Sequence, residues 1–87
     1  MPKYTIVLSE KVQKMLNNLS DSIAEPIHNA IAALEENPRP RGYVKLKGRD
    51  AYRIRTGNYR IIYEIIDNKL LICIVAVGHR KNIYKNI

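Results

Sequence analysis

The spacing of apolar residues changes once along the chain, near residue 40. Tyr4 to Leu8 (YTIVL) reads as a short strand, and helical spacing follows it. Ser9 is placed to cap a helix whose apolar residues are Val12, Met15, Leu16 and Leu19, all on one side. After a short polar break at Leu19 to Ser22, Ile23, Ile27, Ala30, Ile31 and Leu34 repeat the period and predict a second helix. Pro26 suits the first turn of that helix and would clash deeper in it. Asn37-Pro38 ends the helix, because a residue that precedes proline avoids the helical region. The segment PRPRG, residues 38–42, is a basic connection.

Beyond it the period is two. Tyr43 to Lys47, Ala51 to Arg55, Tyr59 to Ile66 and Leu70 to Val77 are four candidate strands. Gly57-Asn58 and Asp67-Asn68 each separate two of them and predict two-residue hairpins. Leu70 to Val77 (LLICIVAV) is apolar throughout, which predicts a central strand buried on both faces. The expected fold is α+β: an N-terminal strand and a helix pair packed on one face of a mainly antiparallel sheet. At 87 residues the chain is too short for two independent cores, so residues 1–87 form one domain.

The first hairpin builds a constellation. It sets Thr56 against Tyr59, Arg55 against Arg60, Ile54 against Ile61 and Arg53 against Ile62. Alternation then gives Tyr52, Ile54, Ile61 and Tyr63 to the helix face, and Arg53, Arg55 and Arg60 to the opposite face. Like charges directly across a ladder are destabilising, so three guanidiniums there suggest an anion. The second hairpin sets Ile66 against Lys69, Glu64 against Leu71, Arg60 against Val75 and Tyr59 against Ala76. It brings the end of the last strand, with Gly78, His79 and Arg80, to the Gly57-Asn58 turn, and Lys81 and Tyr84 follow.

Charge agrees with this placement. The chain carries a net charge of +7, and all of it belongs to the second half. Residues 1–38 sum to −2 and residues 39–87 to +9. Such segregation favours an anion-binding face over a charge that merely keeps the chain soluble. The longest uncharged apolar run is eight residues, Leu70 to Val77, against the roughly twenty of a membrane-spanning helix. The N-terminus lacks a secretory apolar core, which points to the cytoplasm. One cysteine and two histidines exclude an internal disulfide and a zinc site. No carboxylate pair accompanies the arginines, and no P-loop, GxGxxG or HExxH motif occurs. A metal-free, cofactor-free cationic site that binds phosphodiesters is what remains. It also suits RNA cleavage in which the 2′-hydroxyl attacks the neighbouring phosphate.

The segment KLKGRDAYRIRTGNYRIIYEIIDNKLLICIVAVGHRKNIY resembles the RelE/ParE toxin superfamily, and its RelE branch best, over roughly residues 43–84. The matching pieces are K-L-x-G, Y-R-I-R, G-N-Y-R-I-I-Y-E-I and V-G-H-R-K-N-I-Y. The resemblance implies the toxin of a type II toxin–antitoxin system, a ribosome-dependent endonuclease that cuts mRNA in the A site. It implies a cognate antitoxin as partner, besides ribosome and mRNA. Arg60 would stabilise the scissile phosphate, Arg80 would assist the leaving oxygen, and Tyr84 would stack on or orient the nucleotide. Arg53 and Arg55 stand where well-studied members carry lysines, one of them a proposed general base. Arginine holds its proton too tightly for that role, so His79 and Tyr84 are the remaining candidates. Lys45, Lys47 and Lys81 would add attraction for RNA. The same fold also admits a ParE-like gyrase poison and a non-catalytic module that binds RNA or antitoxin.

Overall fold

The computed structural model describes residues 3–83. Strand β1 (Thr5–Leu8) leads into helices α1 (Glu10–Asn17) and α2 (Asp21–Ala33). Strands β2 (Val44–Lys45), β3 (Tyr52–Thr56), β4 (Tyr59–Ile66) and β5 (Leu71–His79) follow. The sheet order is β1-β5-β4-β3-β2, with every pairing antiparallel except β1 with β5. The α+β architecture and its helix-covered face are as the sequence predicts.

Ser9 caps α1, its hydroxyl accepting from Val12 N–H at 3.1 Å. Pro26 lies inside α2, in its second turn and not its first. Having no N–H, it removes the helical donor from the Ser22 carbonyl. Both residues are solvent-exposed, so water can serve that carbonyl. Val12, Leu16, Ile27, Ile31 and Leu34 of the helical half pack against Ile54, Ile61, Tyr63, Ile72, Ile74 and Val77 of the sheet. A smaller cluster of Ala51, Ile62 and Ile83 lies on the other face, with Leu46, Val75 and Ala76 beside it.

The first hairpin has the predicted register, with Arg55 opposite Arg60 and Ile54 opposite Ile61. Gly57 takes φ +60°, and Asn58 has no positive φ. That is the type II′ pattern, which wants glycine at the first turn position.

The second hairpin corrects the prediction. Asp67-Asn68 is not a two-residue turn. Asp67–Lys69 forms a 3-10 turn, and Leu70 takes the left-handed conformation at φ 53°. Ile66 therefore faces Leu71 instead of Lys69, and Glu64 faces Cys73 instead of Leu71. A bulge then shifts the register again between Ile62 and Tyr63, leaving Val75 as the extra residue. Arg60 ends opposite Gly78, not Val75, and Tyr59 opposite His79, not Ala76. The last strand runs on to His79. It is interior to the sheet, but Leu71 and Cys73 are only half-buried, so it is not covered on both faces along its whole length.

The reason for the longer turn lies outside the hairpin. Asp67 is held by Tyr4, whose hydroxyl donates to Oδ1 at 2.6 Å, and by Arg39, whose Nη2 donates to Oδ2 at 3.0 Å. Arg39 also lies 5.7 Å over the ring of Tyr52. Three remote segments thus meet at one carboxylate. The Arg39 and Tyr4 hydrogen bonds hold the Asp67 carboxyl below its ordinary value. A depressed carboxyl contributes stability that is complete above its unfolded value and lost as pH falls through the folded one. The same bond, with Asp67 as acceptor, raises the Tyr4 phenol. Thermal unfolding is thus expected to show wild type losing its advantage over Asp67→Asn as pH falls below about 4. A constant difference between the two proteins from pH 7 to pH 3 would show that the carboxylate does not tie these segments.

Candidate nucleic-acid interface

The Gly57-Asn58 turn organises the site. Arg60 Nη1 donates to the carbonyls of Gly57 at 3.3 Å and Tyr59 at 3.2 Å, which holds its guanidinium beside the turn. Arg80 N–H donates to the Asn58 carbonyl at 2.7 Å, so the residue just after β5 is fastened to the same turn. Arg55 is the direct cross-strand neighbour of Arg60. Arg53 lies two residues earlier on the same face. Arg55 and Arg80 are exposed, while Arg53 and Arg60 are half-buried. Their positive charges converge at one end of the sheet. Elsewhere among the described residues, ion pairs join Lys3 to Glu36, Lys14 to Glu10, Arg39 to Asp67 and Arg49 to Glu64.

Gly78 is the residue opposite Arg60. A Cβ there would come within 3.1 Å of Ile83 Cδ1. Ile83 is buried against Ala51 and Ile62. The missing side chain therefore gives Ile83 room to pack over the sheet just beyond the strand end that faces Arg60. A valine at this position has to push Ile83 aside. Gly78→Val is expected to cost about 1–3 kcal/mol, measured by urea unfolding. Unchanged stability would mean that the contact between Gly78 and Ile83 does not hold this segment.

The remaining predicted residues distribute as follows. Lys81 is exposed just beyond Arg80. Lys45 faces Tyr52 at the other end of β3, and Lys47 follows it in the connection, so neither joins the cluster at the turn. His79 is turned to the helix face with Tyr59; their ring centroids are 5.5 Å apart, edge to face. The bulge at Val75 decides that side. Tyr84 lies outside the described residues.

Arg41 was not singled out in the sequence. It lines a groove of about 490 Å³ at the β3 edge, with Arg53, Arg55, Ala30, Ala33 and Ile54. β2 pairs only with Tyr52 and Arg53, which leaves the rest of that edge open. The only signal was the basic connection PRPRG, in which Gly42 takes φ +90°.

The sequence model described as the ParE toxin of type II toxin-antitoxin systems, parDE, matches residues 6–84. The chain belongs to this family of toxins. Within it, the chain is 30% identical over 81 residues to the mRNA interferase toxin RelE of Escherichia coli, covering 90% of this chain and 84% of that protein. Its fold matches the archaeal RelE-RelB complex from Pyrococcus horikoshii with a TM-score of 0.81 and 30% identity, over 90% of this chain and 96% of that one. It also matches the isolated E. coli RelE toxin with a TM-score of 0.76 and 28% identity, over 87% and 83% of the two chains.

Proposed function

We propose that this protein is a RelE-type toxin that cuts mRNA in the ribosomal A site and so stops translation. One observation carries the reading: a single hairpin turn fastens both Arg60 and Arg80, with Arg55 as cross-strand neighbour of Arg60. Charges gathered in this way suit a phosphodiester whose negative charge grows during attack. In the reaction the 2′-oxygen of one nucleotide bonds to the adjacent phosphorus, and the bond to the 5′-oxygen of the next nucleotide breaks. The products are a 2′,3′-cyclic phosphate and, once the leaving oxygen takes a proton from water, a 5′-hydroxyl. Arg60 stabilises the charge on the phosphate, and Arg80 stabilises the leaving oxygen. Arg53 and Arg55 hold the flanking phosphates, and Lys81, Lys45 and Lys47 add long-range attraction. Tyr84 stacks on the nucleotide and is the residue left to take the 2′-hydroxyl proton, which requires nearby cations to lower its pKa.

The antitoxin is the second partner. A RelE chain of P. horikoshii is paired with RelB in its solved complex. Here the groove beside the open β3 edge has an apolar floor and three arginines, which suit an acidic amphipathic peptide that orders on binding. No helix among the described residues is long and apolar enough to cross a membrane. A toxin that acts on ribosomes is expected in the cytoplasm.

The test is purified protein added to ribosomes that carry a defined mRNA, read by primer extension beside naked mRNA and a gyrase supercoiling assay. A cut in the A site that requires the ribosome is the expected result. Intact mRNA with gyrase inhibited would overturn it in favour of a ParE-like poison. Ribosome binding with neither activity would leave a non-catalytic module.

A further inference from the structure

A cleft of about 390 Å³ opens on the helix side of the same turn, where Ser22, Ile23 and Pro26 of α2 face Asn58, Tyr59 and His79. The cationic groups described above lie on the other side of Gly57-Asn58, so turn residues form part of both. We infer that this cleft is a nucleobase subsite, which takes the base of a nucleotide adjacent to the phosphate held by Arg60. The inference rests on the proposed RNA cleavage and adds a specificity site to it.

Three features make the cleft suited to a base. Its walls are flat or apolar: Ile23 is 37% exposed although it belongs to the apolar stripe of α2, and Pro26 and Tyr59 flank it. Bases stack on such surfaces whatever their sequence. Its histidine is held in place. His79 Nδ1 accepts from Lys81 N–H at 3.2 Å, so the proton of the imidazole is on Nε2, which is left to donate. The ring is held edge-on against Tyr59. On the opposite wall, Pro26 deprives the Ser22 carbonyl of its helical donor and leaves an acceptor there. A helix interior seldom tolerates proline, and here it lies where its effect opens onto the cleft. Donor, acceptor and the Asn58 amide together can tell base edges apart, whereas a phosphate would find no cation among the cleft residues. His79 is then a specificity residue and not a proton carrier at the scissile bond.

The experiment compares wild type, His79→Ala and Ile23→Asp. Cleavage rates are measured on ribosomes programmed with mRNAs that differ only in the A-site codon. In parallel, the Ile23 methyl and His79 ring signals of the full chain are followed by NMR as a short 2′-O-methyl RNA, which cannot be cut, is added. Ile23→Asp places a charge in the cleft without touching the arginines, and its exposed position lets the variant fold. The spread of rates between best and worst codons is expected to shrink about tenfold or more in both variants, and both signals are expected to shift on RNA addition. An unchanged codon profile, or RNA that shifts arginine Nε signals but neither cleft signal, would overturn the subsite while leaving the cleavage reading intact. Shifts at the cleft without cleavage of any codon would support the subsite and remove the nuclease reading.

Discussion

Arg60→Ala is expected to fold normally and to lose mRNA cleavage by a factor of about 10² to 10³. The residue contributes little to the core. It lies on the sheet face away from the helices, and its guanidinium donates to the backbone carbonyls of Gly57 and Tyr59. Gly57 at φ +60° and the β3–β4 ladder keep that turn without it. Removing the side chain also relieves the like-charge contact with Arg55, which offsets part of the lost hydrogen bonding. On the proposed mechanism the reaction loses a donor positioned in advance at the phosphate, and water cannot replace it without reorganising. Arg60→Lys is expected to recover only part of the rate, because an ammonium is a point charge and cannot present two parallel donors. Single-turnover cleavage on programmed ribosomes and a thermal melt are the two measurements. An Arg60→Ala protein that cuts at the wild-type rate would remove the residue from the mechanism.

Tyr63→Ala is expected to have the largest effect on stability. Tyr63 is fully buried at the centre of the sheet, and its ring centroid lies 5.9 Å from that of Tyr52. Truncation of a large aromatic in such a place costs about 3–5 kcal/mol, against a total of about 5–15 kcal/mol for an ordinary domain. The phenol has its own part. It donates to the Pro38 carbonyl at 2.7 Å and so fixes the start of the connection that carries Arg39 and Arg41. Tyr63→Phe keeps the ring and leaves a buried acceptor unsatisfied, at a cost of about 1–3 kcal/mol. Urea unfolding of the three proteins separates the two contributions; equal stability of Phe and wild type would mean that the bond to Pro38 adds nothing. Burial pushes the Tyr63 phenol up to about 12. A raised phenol stabilises the fold below its unfolded value near 10 and ceases to do so as pH rises through the folded one. The wild type should therefore lose stability relative to Tyr63→Phe above about pH 10.

The two hairpins mark how far the sequence can be read. Gly57-Asn58 lies between two strand-forming runs, and the glycine supplies the positive φ that a two-residue turn requires. Its register, and with it the placement of Arg53, Arg55 and Arg60, is a local property. Asp67-Asn68 carries the same kind of signal and forms a different turn, because Tyr4 and Arg39 hold the Asp67 carboxylate from far along the chain. The bulge at Val75 has no signal in an apolar run where every residue could face either way. Its consequence falls on His79, which goes to the helix face.

The amino-acid sequence by itself determined the order of elements, the helix-covered face, the first hairpin and the segregation of positive charge. Each depends on spacing between near neighbours, which period and turn chemistry encode directly. Only the tertiary structure decided that β1 joins the sheet parallel to β5, that Arg60 faces a glycine, and that Arg41 joins Arg53 and Arg55 at the open edge. It also decided that one turn separates a cationic face from a cleft lined by His79. These arrangements depend on pairing between distant segments, where a shift of one residue moves every side chain to the other face and leaves the local pattern unchanged.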